Sequence, residues 1–277
     1  MEVEFVKISP TENMTVIATS PVERKNQLKA GGELIKYASV YAEQAGFMEE
    51  PEDKRAMARL QMMAGEFCGN GTMSAAVYTA WKNGIKTGEE KIIPMEVSGA
   101  SGILECWVRA VDVSRGKYEA QVSMPLPLAI KKGIYDIDGE EYELSAVSLP
   151  GITHIIIPSE MIGSGFKEKL KRSVEAVGSK IDDDAFGLIV FDEKESRIDP
   201  LVAVRSAGSL CWERGCGSGS EAVGIYMADR LKKSVRLALK QPGGIIKTDV
   251  TYENGIKDVS IKGLAAIAAW GKAFVDI

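Results

Sequence analysis

Two short stretches constrain this chain more than anything else in it. Cys68-Gly69-Asn70-Gly71 and Cys216-Gly217-Ser218-Gly219 are both Cys-Gly-x-Gly turns, one in each half of a 277-residue chain. Each follows a strand-like run and precedes a run that suits a helix, "TMSAAVYTAWKNG" (72–84) in the first case and about 218–233 in the second. The surroundings repeat as well: strands, helix, strand, glycine-flanked cysteine, helix, strands. A plan that recurs once per half predicts two similarly built halves, and the length is enough for two cores.

The rest of the pattern fills in that plan. "VEFVKISPTENMTVIAT" reads as two strands around a Pro-Thr-Glu-Asn turn. "RKNQLKAGGELIKYASVYAEQ" (24–44) has Leu28, Leu34, Ile35, Ala38 and Tyr41 on one helical face, weakened by Gly31 and Gly32. "ARLQMMAGEF" (58–67) suits a strand leading into the first cysteine. "KIIPMEVSG", "ILECWVRAVDV" and "YEAQVSM" follow as strands, and two prolines in "SMPLPLAIKKG" (123–133) mark a crossover. In the second half, strands are expected at "YELSAVSL", "GITHIIIP", "FGLIVFD", "PLVAVRS", "SVRLAL", "IIKTDVTY" and "KDVSIKG", with a helix over 166–177. The tail "GKAFVDI" is able to pair with either half. The expected division is 1–126 and 127–265, with the tail 266–277 able to pair with the first domain.

Charge and cysteine content exclude several classes. A net charge of −5 with no clustered basic face argues against nucleic acid. No apolar run is long enough to span a bilayer, and "MEVEFVKISP" lacks a signal pattern, so a cytoplasmic location is expected. With one histidine and four widely spaced cysteines, no metal site is expected. The thiols are expected to be reduced.

The two turns carry the chemistry. Glycines let the backbone approach a ligand closely, and the N–H groups at a helix start cradle an anion. A cysteine there is expected to have its thiol pKa lowered, with Ser218 or Ser220 available as helix N-cap at the second turn. If the halves face each other, two sulfurs flank one carbon. That arrangement suits inversion of a carbon bearing an acidic hydrogen, one thiolate removing the proton and the opposing thiol delivering another. The substrate carboxylate would lie in the cradle, stabilising the enolate-like transition state. No lysine sits in a recognisable pyridoxal phosphate setting, so no cofactor is expected. His154, in "THIIIP", reads as a core histidine, or by resemblance to similar enzymes as a group orienting the site from behind. Cys106 reads as a small core residue, and Cys211 as non-catalytic.

The chain also resembles the diaminopimelate epimerase fold family of cofactor-independent amino-acid racemases. "EFCGNG", "WERGCGSGSEAVG", "PTENMTVI", "EQAGF", "EVSG", "QVSMP", "QPGG" and "SIKG" carry the likeness, and several of them are similar to the branch that racemises histidine for staphylopine-type metallophores. The resemblance implies an α+β fold of two pseudo-symmetric domains, each a curved sheet wrapped around a central helix, with the active site in the cleft between them. It implies catalysis by Cys68 and Cys216 on a free amino acid, L-histidine to D-histidine. It implies substrate contacts from Asn13, Asn70 and the backbone of Gly69, Gly71, Gly217 and Ser218. Glu43, Glu213 and Arg214 are candidates for the substrate's ammonium or side chain, and Trp212 for a pocket wall or plain core packing. A homodimer is compatible with it.

Departures from the family pattern bear on the substrate. No arginine follows the first turn, and Glu213-Arg214-Gly215 runs straight into Cys216. Both absences count against diaminopimelate, which stays as the alternative substrate. A thiol redox switch is the alternative from another class, disfavoured by the lack of a CxxC pair.

Overall fold

The structure is a computed structural model and describes residues 1–206 and 208–277. The fold is mixed α+β, mostly sheet with few helices, and the chain divides into two compact units, Met1–Ser123 with Ile261–Ile277, and Met124–Ser260.

The first unit contains β1 (Glu2–Pro10), β2 (Thr15–Ala18), α1 (Arg24–Ile35), β3 (Gln44–Glu49), β4 (Ala58–Met62), α2 (Gly69–Lys82), β5 (Glu90–Val97), β6 (Ile103–Asp112) and β7 (Lys117–Ser123). These seven strands follow one another in the sheet in chain order, with parallel pairs at β2–β3 and β4–β5. The tail belongs here: β16 (Ile256–Phe274) runs antiparallel to β1 from Ala265 to Phe274. The Ile267 N–H also donates to the Gly116 carbonyl just before β7 (2.9 Å).

The helix α2 lies against strands β1 to β7. Its sequence explains how. Every residue from Gly69 to Val77 is buried, and most are glycine, alanine, serine or threonine. A helix buried all round has no polar face to offer water, and small side chains let strands close in on every side. By contrast α1 is a surface helix that buries only Gln27, Ala30, Gly31 and Leu34, packing with Val3, Val16 and Phe47.

The sequence pattern overstates α1. The helix ends at Ile35, and Leu28 and Tyr41, both expected on its buried face, are 60% and 48% exposed. The cause is sheet register. Gln44 must lie opposite Thr15 in the parallel β2–β3 pair, so the chain leaves the helix early and turns back.

The second unit contains β8 (Ala129–Ile137), β9 (Glu140–Leu149), β10 (Ile152–Pro158), α3 (Ser159–Ile162), α4 (Phe166–Gly178), β11 (Ala185–Asp192), β12 (Arg197–Val204), β13 (Ser209–Trp212), α5 (Gly217–Leu231), β14 (Val235–Gln241) and β15 (Gly244–Tyr252). The strand order is β8-β9-β10-β11-β12-β14-β15, with β13 paired to β12. β8 begins inside what reads as a proline-marked crossover, because both prolines fall before its first residue. The helix α5 is built like α2, with Gly219 to Ile225 all buried. α4 is amphipathic and covers a core of Tyr135, Ile155, Ile157, Leu188, Val190 and Leu201 with its own Leu170 and Val177. Each fully buried aliphatic side chain contributes ~1.5–3 kcal/mol.

One residue inside α5 is costly to bury. Glu221 is 1% exposed, its Oε1 has no hydrogen-bond partner, and burial raises its carboxyl pKa well above the ordinary range. An acid raised in the folded state is cheapest while neutral in both states, and stability is lost as pH climbs through the folded pKa. Glu221→Met is therefore expected to raise the unfolding midpoint, and to do so more at about pH 7.5 than at about pH 4. Urea unfolding of the two proteins at both pH values measures this, and an equal gain at both would remove the ionisation argument.

Candidate active site

Each Cys-Gly-x-Gly turn is the start of a buried helix, and in each the sulfur itself is the cap. Cys68 is the N-cap of α2, extended at φ −137° and ψ 112°, and its Sγ accepts the Gly71 N–H at 3.2 Å. Cys216 is the N-cap of α5, with Sγ accepting the Gly219 N–H at the same 3.2 Å. Four N–H groups at a helix start lack intrahelical partners; here one of them is spent on sulfur. Ser218 and Ser220 lie inside the helix and do not cap it. Ser220 instead donates back to the Cys216 carbonyl (2.7 Å), as Thr72 does to the Cys68 carbonyl (2.7 Å). The duplication thus extends to hydrogen bonds that the sequence spells with different hydroxyl residues.

The close sulfur–amide contact demands glycine at the third helical position. A Cβ at Gly219 would lie 3.0 Å from the Cys216 Sγ and 3.0 Å from Ile189 Cδ1, and one at Gly71 would lie 2.7 Å from Met62 Sδ.

In the first unit, Cys68 is half-buried and its thiol meets the side chain of Gln44, with Sγ 3.0 Å from Oε1. The Gln44 Nε2 donates to Asn13 Oδ1 (3.0 Å) and to Thr15 Oγ1 (2.8 Å). Asn13 is buried in the β1–β2 turn, where Thr11 and Glu12 take positive φ. So Asn13 and Cys68, far apart in sequence, are joined through one amide. Gly69 and Asn70 are buried in the first turn of α2. Glu43 is not on a helix end as the pattern suggested. It sits one residue before β3, its N–H donating to the Met14 carbonyl (2.9 Å), with an exposed side chain.

In the second unit, Cys216 is 2% exposed. Its N–H donates to Gln241 Oε1 (2.7 Å), and Gln241 Nε2 donates to Ser220 Oγ (2.7 Å). Ser218 Oγ is 3.7 Å from the sulfur and 2.9 Å from His154 Nε2. Glu213 is half-buried and hydrogen-bonds the Cys216 thiol. Arg214 donates to the Pro242 carbonyl (3.4 Å). Trp212 packs edge-on to Phe166 at 5.8 Å against the α4 core.

The electrostatics depart from expectation at Cys216. A helix start favours thiolate, yet burial pushes this thiol well above its ordinary range. The neighbouring Glu213 carboxylate raises it further, while Ser218 and the Gly219 N–H pull the other way and lose. Burial also raises the Glu213 carboxyl, opposed by its bond from the thiol. Cys216 is thus a protonated thiol at neutral pH. Cys106 is a buried core residue of β6 pushed up to about 12 by burial. Cys211 is exposed on β13. His154 is fully buried, with its pKa pushed down to about 3, and is neutral. A Cβ at Gly187 would lie 2.2 Å from its Nδ1, so the ring occupies space that only glycine leaves.

Sequence reasoning missed Gln44 and Gln241. Both sit at strand ends inside quoted motifs, "EQAGF" and "QPGG", and the signal available is a polar residue where a strand meets a turn. Among the described residues there is no cluster of His, Cys, Asp or Glu able to hold a metal, and no helix long and apolar enough to cross a membrane.

Residues 2–274 match the family model described as "Histidine racemase CntK N-terminal domain". A histidine racemase of Fusobacterium nucleatum subsp. nucleatum is 32% identical over 265 residues, covering 94% of this chain and 95% of that protein. A histidine racemase of Staphylococcus aureus is 25% identical over 278 residues, covering 99% and 98%. Among solved structures, a hydroxyproline epimerase from Agrobacterium vitis with bound trans-4-hydroxy-L-proline has the same fold, with a TM-score of 0.66 at 12% identity over 99% of this chain and 93% of that one. A family model that spans nearly the whole chain, together with relatives matched end to end, settles the family: this chain is a member of the histidine racemases, isomerases of the amino-acid racemase and epimerase class.

Proposed function

We propose that this protein interconverts L- and D-histidine without a cofactor, using Cys68 and Cys216 as paired acid and base, and that its two units are pseudo-symmetric domains of diaminopimelate-epimerase-like fold. The observation that carries the reading is the matched capping geometry. Each of two buried helices begins at a sulfur held 3.2 Å from a backbone N–H, in surroundings duplicated down to a hydroxyl back-bonded to the cysteine carbonyl. A structural cysteine such as Cys106 has none of this.

The step is a proton exchange. A thiolate takes the α-proton and becomes a thiol; the carbanion, delocalised into the substrate carboxylate, takes a proton on its other face from the second thiol, which becomes thiolate. Electrons stay paired throughout and the enzyme ends with its protonation pattern reversed. Cys216, protonated by burial and by Glu213, is the donor in one direction, and Cys68 is then the acceptor. Backbone N–H groups of Gly69, Asn70, Gly217 and Ser218 hold the carboxylate, where they stabilise the charge that builds up in the transition state. Asn13 gives its carbonyl oxygen to Gln44, which leaves its amide nitrogen to donate to the substrate. Asn70, Glu43 and Glu213 take the ammonium and imidazole groups. The α-proton is weakly acidic, so water must be kept from the carbanion while both sulfurs reach one carbon.

Cys68→Ala and Cys216→Ala are each expected to lower racemisation by at least about a thousandfold, while Cys106→Ala and Cys211→Ser retain it. In heavy water the wild type should place deuterium at the α-position of product before it appears in residual substrate. Offering L-histidine and LL-diaminopimelate side by side tests the substrate, and turnover of the latter alone would overturn the assignment to histidine. Racemisation persisting in either single alanine variant would end the two-base reading.

The raised Cys216 pKa gives a pH signature. In the direction that uses Cys216 as base, the rate grows as the thiolate forms, so it should still be rising between about pH 7 and pH 9. Removing the carboxylate charge with Glu213→Gln lowers the thiol's proton affinity and should move that rise to lower pH. Initial rates from each enantiomer across this range check it; a profile unmoved by the substitution would show that burial alone sets the value.

A further inference from the structure

We infer that Gln44 is a positioning residue for Cys68: its amide oxygen directs the Cys68 S–H and favours the thiol over the thiolate. A side-chain amide has a donor end and an acceptor end. Both Gln44 N–H groups are committed, to Asn13 Oδ1 at 3.0 Å and Thr15 Oγ1 at 2.8 Å. The oxygen is then left facing the sulfur at 3.0 Å, where it accepts the S–H. Turning the amide over would set its oxygen against the Asn13 oxygen. The backbone removes any slack, because the parallel β2–β3 register places Thr15 directly opposite Gln44.

The same sulfur meets the Gly71 N–H at 3.2 Å, which favours the thiolate. Cys68 therefore sits between an oxygen that prefers S–H and an N–H that prefers S⁻. Cys216 sits in the same opposition, with the Glu213 carboxyl as its oxygen and Gly219 as its N–H. Resting on the racemase reading above, this has a purpose. Substrate and product are mirror images of equal free energy, so two sulfurs of unequal proton affinity would trap the proton on one side. Gln44 on one sulfur and the Glu213 carboxyl on the other each hold the S–H proton against the pull of a helix N–H.

The test is the rate of alkylation by iodoacetamide, followed at each cysteine by peptide mass spectrometry on the full-length protein at one neutral pH. Thiolate is the reacting form, so Gln44→Met, which removes the acceptor, is expected to speed alkylation of Cys68 about tenfold and to leave Cys216 within about twofold. Gln44→Glu, which keeps an acceptor and adds charge, is expected to slow Cys68 below the wild type. Opposite shifts from the two variants are something a merely loosened fold would not produce. A methionine variant alkylated at the wild-type rate overturns the proposal, as does one in which Cys68 and Cys216 accelerate together. Should that variant fail to fold, the glutamate variant decides: slowing at Cys68 supports the role and an unchanged or faster rate overturns it. The shifts appearing in a protein that exchanges no α-proton would keep this role for Gln44 and remove the racemase reading instead.

Discussion

A sulfur at the head of a buried helix is the contact on which the rest of the structure depends. As caps, serine, threonine, asparagine and aspartate are better, and cysteine is not among the residues that helices usually select there. Using it twice, at Cys68 and Cys216, gives up some helix stability and fixes a reactive atom to a deeply buried helix of each unit. Because α2 and α5 are enclosed on nearly every side, neither sulfur can drift without disturbing a core. The glycine three residues on is part of the same constraint, since any Cβ there would meet the sulfur or its neighbours.

Environment then separates two buried cysteines. Cys106, among apolar neighbours, has nothing to offset burial, and a thiol pushed up to about 12 is inert at neutral pH. Cys216 is equally buried, yet it is surrounded by Glu213, Ser218 and the Gly219 N–H, groups that respond to its protonation state. Burial alone would make a poor base. Burial beside an acceptor and a donor makes a group whose proton affinity depends on which neighbour dominates, and a substrate charge arriving at the helix start changes that balance.

Much of this was legible in the sequence, and what was not shares one cause. The two turns, the helices after them and nearly all the strands of the second half could be read because glycine, cysteine and alternating apolar residues act locally. The end of α1, the strand β8 and the roles of Gln44 and Gln241 could not. Gln44 reaches Cys68 only because a parallel pairing brings β3 beside β2, and Gln241 reaches the Cys216 N–H from the end of a strand that lies after α5 in the chain. Propensity favours serine as the cap, at 218 or 220; the sulfur takes the position because α5 begins at Gly217, one residue after the cysteine and earlier than the apolar pattern starts.

Burial fixes where the proton sits on His154. The imidazole is neutral, so one ring nitrogen carries a proton and the other a lone pair. Nδ1 is buried against Gly187 with no partner, while Nε2 lies 2.9 Å from Ser218 Oγ. A buried N–H without an acceptor costs more than a lone pair without a donor, because unpaired donors are the rarer fault in folded proteins. The proton therefore belongs on Nε2, where it donates to Ser218. That leaves the serine hydroxyl to spend its own proton elsewhere, and the Cys216 sulfur stands 3.7 Å away. A histidine that never titrates near neutrality can in this way still set the direction of a hydroxyl, and through it offer the sulfur a donor whose strength does not change with pH.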